Sequence, residues 1–463
     1  AAARYLPFVL AALLLHLYLA VRLNRYGMLL TLLSVGLTVL SFPSAATLQG
    51  VGFLGWISLV PLIYTLWRSS YWNVLFYGVT YGVLATLLSN YWLGTFSLVS
   101  LLAVVVIFLG FYTLFMVPFG GVVLALRRSS PGMRVFVTAA AWTVFELFRS
   151  TGFLGYPWVL VAHSQYRNLP LIQISEVFGV WGVSFLVVLV GALLAEFVEP
   201  VTFRLSRRSL ASSRRRMSPL VGGAITSNLK NTALVVVVFL LASHLYGGVV
   251  LLFDNRYPPA DEVARVALIQ QNSDPRKHEY ERTLESLKDL TNRALEQNPD
   301  IVVWSETAFV PNIRRWGEED PDRYRLARLV REFRAYQESI DTWLVTGNDD
   351  YRRVLDEDGQ EIDRLNYNAA VLFSDQGGRM QTYHKIKLVP FTEHFPYQRQ
   401  LPFIYEMLED FDVHFWEPGD ERTVFQHPKF SFSTPICFED VFPNEVRQFV
   451  LAGTEVILNI TND

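Results

Sequence analysis

The chain has 463 residues and a formal net charge of −3, and its 51% hydrophobic content is spread very unevenly. With a charge so small and no basic patch interleaved with aromatics in the polar half, a nucleic-acid partner is not indicated. The length suits two domains rather than one, and composition divides it into an apolar part, 1–255, and a charged part, 256–463.

In chain order the apolar part offers eight stretches that could each span a bilayer: 5–23, 27–48, 50–67, 72–93, 98–126, 134–150, 171–198 and 233–253. Each approaches the run of about 20 mostly apolar residues that a spanning helix needs. Polar stripes at helical spacing are nearly absent, so a polytopic α-helical membrane bundle is predicted rather than a soluble one. One alternate set of loops carries Arg22, Arg25, Arg68, Arg127, Arg128, Arg134 and the run "RLSRRSLASSRRR"; the other carries only Arg149 and Arg167. Positive loops stay in the cytoplasm. Residues after 253 are therefore expected outside it.

The polar part begins with a strand in "VARVALIQQN". The segment "KHEYERTLESLKDLTNRALEQ" follows as a helix, with Tyr280, Leu284, Leu287, Leu290 and Leu295 at helical spacing. Next come a buried strand, "DIVVWSET", a second amphipathic helix, "RYRLARLVREFRAY", and a strand, "TWLVTG". The runs "YNAAVLF", "QTYHKIKLV" and "FSFSTPICF" read as further strands set off by turn signals, before a last helix in "NEVRQFV" and a strand in "EVILNI". This alternation predicts a layered α/β sandwich. The chain stops at Asn462-Asp463 directly after a strand, as an interrupted domain would.

Cys437 is the single cysteine. Outside the cytoplasm structural cysteines pair, so a lone one is either a buried core residue or a reactive thiol. A thiol with its usual pKa of about 8.5 is mostly protonated at neutral pH and needs a base or a cation beside it. Glu306, Lys385 and Cys437 each fall in or just past a β-type run, where side chains can converge at one edge of a sheet, although sequence alone does not show that these do. Together they are a complete acyl-transfer set: a carboxylate base, an ammonium for thiolate and oxyanion, and a sulfur nucleophile. Taken singly, each has a plainer reading. Cys437 fits a core residue, Glu306 in "SET" fits a helix cap, and Lys387 competes with Lys385 on the same strand face. His384, His394, His414 and His427 lie near one another in sequence but lack the H-E-x-x-H spacing, so neither a metal nor another cofactor is expected.

The blocks "VVWSET", "YHKIKLVPFTEHFP" and "ICFED" resemble the three catalytic blocks of the nitrilase superfamily. Behind a membrane half, and with "NYWLGTFS" and "GFLGYPWVLVAHSQYRNLPLIQISEVFGVWGVSF" upstream, they are similar to the apolipoprotein N-acyltransferases in particular. The resemblance implies an αββα sandwich outside the inner membrane. It makes Glu306 the general base, Lys385 the stabiliser of thiolate and oxyanion, and Cys437 the nucleophile. Glu393 matches a further acid near the triad, Glu439 an acid that the acyltransferases require, and Asn368 an Asn of the family pattern. Phe438 stands where the family often has Tyr, and Thr392 where it often has Gly. The family also adds a Trp-Phe-Gly segment and a closing membrane helix beyond this last residue.

The implied reaction is ping-pong. A phospholipid, phosphatidylethanolamine, donates an acyl chain to the thiol, and the free α-amine of a diacylglyceryl-cysteine on an apolipoprotein accepts it. The alternative is a membrane-anchored amidase or nitrilase-type hydrolase that uses water. The apolar residues of 391–419, among them Phe391, Phe395, Tyr397, Phe403, Phe411, Phe415 and Trp416, read as a lid at the membrane face or, more plainly, as core.

Overall fold

The computed structural model describes residues 25–209 apart from 97, 227–253, and 264–462 apart from 275–276, 357, 396, 398–399, 401 and 403–414. The chain divides into two compact units, Ala1–Asn255 and Arg256–Asp463.

The main described helices of the first unit are α1 (Arg25–Ser41), α2 (Val60–Arg68), α3 (Tyr71–Ser89), α4 (Leu98–Leu126), α5 (Pro131–Arg149), α6 (Ser175–Ser209) and α7 (Ser227–Phe253). Four segments are long and apolar enough to cross a membrane: Tyr71–Ser89, Ser100–Leu126, Ser175–Val198 and Ser227–Phe253. The stretch expected at 5–23 lies outside the described residues. The stretch expected at 50–67 is not one helix. Short turns at Gly52–Leu54 and Gly55–Ser58 precede α2, in a segment that carries Gly52, Gly55 and Pro61. Glycine and proline weaken the ladder there. The helix expected over 27–48 stops at Ser41, ahead of Pro43.

Glycines let α3 and α4 pack closely. A Cβ at Gly78 would sit 2.3 Å from Met116 Sδ, and one at Gly82 would sit 2.1 Å from the Tyr112 ring. Gly78 and Gly82 are four apart and so share a helix face, the small-residue pattern of membrane helix pairs. Between α5 and α6 the chain is mostly non-helical, which in a bundle requires partners for its free backbone groups. Arg149 donates to the carbonyls of Tyr156, Trp158 and Val159 at 2.8, 3.1 and 2.9 Å. Glu146 accepts from Val161 N at 2.9 Å, Ser184 Oγ at 2.5 Å and Trp142 Nε1 at 3.3 Å.

The second unit contains a five-stranded sheet ordered β1 (Val266–Ile269), β2 (Ile301–Trp304), β3 (Trp343–Leu355), β4 (Glu361–Phe373) and β5 (Arg379–His384). The first three strands run parallel, and β3–β4 and β4–β5 pair antiparallel. A second sheet holds β6 (Phe425–His427), β7 (Phe430–Ser433) and β8 (Val456–Ile457). One core joins the sheets: Val303, Val345, Leu372 and Tyr383 meet Phe425, Phe432 and Phe449, the last on α10 (Pro443–Leu451). On the other face Trp304, Leu344 and Val371 meet Leu284 and Leu287 of α8 (Tyr280–Leu295) and Val330 and Phe333 of α9 (Arg325–Ser339). The second unit is an α/β sandwich of the expected αββα type, and the first is an α-helical membrane bundle. The strand expected to continue through "HKIKLV" ends at His384, so Lys385 and Lys387 lie in irregular chain beyond it.

Candidate active site

Glu306 follows β2, an interior strand of the sheet whose four residues are all buried. The next residue, Thr307, has φ +47°, which turns the chain sharply. That turn lies against Gly347 of β3, where a Cβ would come within 2.6 Å of Thr307 N and 2.7 Å of Glu306 Cα. Only glycine admits so close a backbone approach. Asn368 belongs to β4, and its carbonyl accepts the backbone N–H of Lys385 at 2.8 Å, which fixes Lys385 just past the end of β5. Cys437 opens the short turn after β7, and its backbone N–H donates to Ile460 O at 2.8 Å. Its φ is +50°, a left-handed conformation costing a β-carbon residue on the order of 1–2 kcal/mol. Strain of this kind persists where the surroundings over-determine it, and such positions cluster at reactive sites.

These turns bring the side chains together. Lys385 is fully buried. Its Nζ lies 2.8 Å from Glu393 Oε1 and 3.3 Å from Glu306 Oε1. Asn368 Nδ2 donates to the same Glu306 oxygen at 2.8 Å. Glu306 Oε2 carries no hydrogen bond among the described residues. Glu393 is held in turn by Val389 N, which donates to its Oε2 at 2.7 Å.

Glu439 is buried and acts as a tie. Its Oε1 accepts from Ile386 N at 2.8 Å and Lys387 N at 2.9 Å, and its Oε2 from Ile436 N at 2.8 Å. Tyr383 Oη donates to the same carboxylate, 2.7 Å from Oε1 and 2.9 Å from Oε2. One side chain thus fixes the backbone just after Lys385 to the backbone just before Cys437.

The electrostatics favour a protonated sulfur at rest. Burial pushes the Cys437 thiol up to about 12, and the Glu306 charge adds to it; Lys385 and a hydrogen bond to Thr461 pull the other way. A thiol ionised in advance by its neighbours, the simplest expectation for a reactive cysteine, is not what this environment gives. Burial pulls Lys385 down, but Glu306 and Glu393 outweigh it and hold the ammonium above its ordinary value. Burial raises Glu393, as does the Glu306 charge, against Lys385. Burial also raises Glu439, against the hydrogen bonds it accepts. Cys437 is half-buried, whereas Lys385, Glu306 and Glu439 around it are buried.

Lys387 does not join this cluster. Its ammonium lies 4.9 Å from the centroid of the Phe442 ring, and burial lowers its pKa. Phe438 is buried, with its ring edge-on to Phe442 at 4.9 Å. The histidines separate: His384 Nε2 meets Asp350 Oδ2 at 3.0 Å, His394 Nδ1 lies 3.2 Å from Trp416 O, and His427 packs edge-on to Trp343 and tilted against Phe430. His414 is outside the described residues. Of the apolar residues of 391–419, Phe391 and Phe395 lie 5.7 Å apart between ring centroids, and Phe395 and Tyr397 6.1 Å apart. Phe403, Ile404, Tyr405, Met407, Leu408 and Phe411 fall outside the described residues.

Sequence reasoning missed Gly347, Tyr383 and Thr461. Tyr383 was within reach of it: it stands two before Lys385, and alternate residues of an extended chain share a face. No sequence signal marks Gly347 as the neighbour of Glu306.

A buried carboxylate–ammonium cluster against a half-buried cysteine, on a sandwich of this topology, has the design of a carbon–nitrogen hydrolase. The carbon-nitrogen hydrolase family model matches residues 265–463, and the apolipoprotein N-acyltransferase N-terminal domain model matches residues 34–193. Apolipoprotein N-acyltransferase 1 of Treponema denticola is 35% identical over 94% of this chain and 79% of its own length. Apolipoprotein N-acyltransferase 1 of Treponema pallidum is 36% identical over 95% of this chain and 79% of its own. Among solved structures, an amidase from Nesterenkonia sp. aligns at 20% identity and a TM-score of 0.29, over 43% of this chain and 64% of its own. The chain belongs to the apolipoprotein N-acyltransferase family, and it is a membrane-embedded acyltransferase.

Proposed function

We propose that this enzyme moves an acyl chain from a phospholipid, phosphatidylethanolamine, to the α-amino group of a diacylglyceryl-cysteine at the N-terminus of an apolipoprotein, through a thioester on Cys437. What supports the reading above all is the cluster of Glu306, Lys385 and Glu393 in the electrostatic field of the single sulfur, in a chain of this family.

With a thiol held near 12, almost no thiolate exists at neutral pH. Proton transfer must therefore accompany attack. Glu306 Oε2 takes the proton as sulfur bonds to the ester carbonyl carbon, and the Lys385 ammonium stabilises the oxyanion. Collapse breaks the carbon–oxygen bond, and Glu306 returns the proton to the departing lysophospholipid alkoxide. In the second half the amine attacks the thioester and Glu306 accepts its proton. Collapse then yields the amide and returns the thiol. Asn368 and Lys385 fix Glu306 by one oxygen and leave the other for this traffic. Glu393 keeps Lys385 charged and in place, and Glu439 holds the two catalytic turns in register. Phe438 contributes packing behind the sulfur.

The Arg-rich loops support an inner-membrane protein with residues 256–463 outside the cytoplasm. Phe391, Phe395 and Tyr397, close to Glu393 in sequence, suit an apolar approach for lipid.

The test is incubation with labelled phosphatidylethanolamine and a diacylated lipopeptide. Mass spectrometry should find acyl-Cys437 before acceptor is added and an N-acyl amide afterwards, with neither amide nor thioester in Cys437→Ser. Release of free fatty acid without amide would put water in the acceptor's place and make the hydrolase reading the right one.

A further inference from the structure

At one end of the first unit, the turn between α2 and α3 lies beside the turn between α4 and α5. A small recess, open on one side, lies there. Arg68, Arg127 and Arg134 line it, with Tyr64, Trp67 and Val123. Two of the arginines are anchored by the protein. Arg127 donates from Nε to Trp67 O at 3.1 Å and from Nη2 to Ser69 O, and Nη1 makes no hydrogen bond among the described residues. Arg134 grips buried Glu196 with Nη2 at 2.8 Å and with Nε, and donates from Nη1 to Ser129 O at 2.8 Å. Arg68 is exposed, its guanidinium 4.6 Å from the centroid of the Tyr64 ring. Glu196 neutralises one of the three cations. The recess keeps a positive excess.

We propose that this recess binds the phosphate of an anionic phospholipid, as a site distinct from the cysteine cluster. The Arg127 Nη1 left over from this anchoring can donate a charge-assisted hydrogen bond to a phosphate oxygen. Basic recesses between membrane helices, next to amphipathic rings, sit at headgroup depth. A scattering of positive loop residues would explain membrane orientation alone. It would not explain guanidinium groups fixed by backbone carbonyls around one recess. The lipid source fits better than free phosphate because Val123 and Ala195 give the recess an apolar wall, and Val123 belongs to a helix long and apolar enough to cross a membrane.

The experiment uses the full chain in phosphatidylcholine nanodiscs, titrated with phosphatidylglycerol or with inorganic phosphate. Bound lipid is counted by native mass spectrometry, and the thermal midpoint is read in parallel. Arg68→Gln removes an exposed cation, and Arg127→Gln the anchored one, with the thermal midpoint of each reporting whether the fold is kept. Each should weaken phosphatidylglycerol binding about fivefold, in line with the loss of one interfacial arginine. Equal retention by wild type and both variants would overturn the proposal. Stabilisation by millimolar phosphate equal to that by the lipid would overturn the lipid assignment and leave a free-anion site.

Discussion

In the first unit, Glu146 and Arg149 are as deeply buried as Glu306 and Lys385 are in the second. What separates the pairs is what remains unmade. Both Glu146 oxygens accept hydrogen bonds, and both Arg149 terminal nitrogens donate to carbonyls of the segment that follows. Those charges close off irregular backbone inside an apolar bundle. In the second unit one Glu306 oxygen is saturated, and the other makes no hydrogen bond among the described residues, in the electrostatic field of Cys437. At the carboxylates, hydrogen-bond accounting thus separates Glu146, with both oxygens occupied, from Glu306, with one left over, where burial alone cannot. On the cation side Arg149 Nε is itself buried without a hydrogen-bond partner among the described residues.

The sharpest test of that contrast is Glu306→Gln. Amide keeps the volume and removes the proposed base, so acyl transfer should fall by about 10⁴-fold while the thermal midpoint stays put. Arg149→Leu should do the reverse. It strands Glu146 in an apolar interior and should destabilise the first unit by about 3–5 kcal/mol, read as loss of folded protein in detergent. If Glu306→Gln unfolds the protein, or Arg149→Leu melts like wild type, the contrast fails.

Next in size is the resting thiol. Relative to a free cysteine of pKa about 8.5, a thiol near 12 has on the order of 10³-fold less thiolate at pH 7. The more basic sulfur is intrinsically more nucleophilic, which recovers part of the loss and leaves alkylation about 100-fold slow. The sign with pH is clear. Below its pKa the thiolate fraction rises about tenfold per unit, so iodoacetamide labelling of Cys437 should still be climbing at pH 10, where an ordinary thiol has levelled off. A plateau near pH 8.5 would mean that the sulfur is solvated like a surface cysteine.

Gly347→Ala should act more mildly. The added methyl meets the backbone around Glu306, and overpacking of this kind costs about 1–3 kcal/mol. Transfer should fall about tenfold, more than stability suggests, because the displaced atoms carry the proposed base. A fall in thermal midpoint with unchanged turnover would show that β3 yields instead of the Glu306 turn.

How much of this was legible beforehand depended on range. Helices such as α8 and strands such as β2 write their periodicity into neighbouring residues, and the divide near residue 255 is written into composition. The family blocks named Glu306, Lys385 and Cys437, but nothing local says that three turns more than 50 residues apart end at one place. Lys385 and Lys387 looked equivalent while the strand was expected to run through both. The strand stops at His384, and with it the alternation that made them so. The segment at 50–67 misled for a related reason: mean apolarity is high, yet Gly52, Gly55 and Pro61 decide its local geometry.

The smallest expected effect addresses how the two catalytic turns are held in register. Tyr383→Phe removes the hydroxyl that meets both Glu439 oxygens and leaves three backbone N–H groups on the carboxylate. A hydrogen bond to a charged group is worth about 1.5–3 kcal/mol, and the remaining donors should absorb part of that, so turnover should fall severalfold with KM little changed. Loss of stability alone would not distinguish positioning from packing, since Tyr383 also stacks edge-on with Phe449 at 5.5 Å. The distinction comes from pairing the change with Glu439→Gln. If Tyr383 acts through Glu439, the double variant should lose scarcely more turnover than Glu439→Gln alone. If the two losses instead add to within about 0.5 kcal/mol, the residues act independently and Glu439 does not depend on this hydroxyl to hold the turns together.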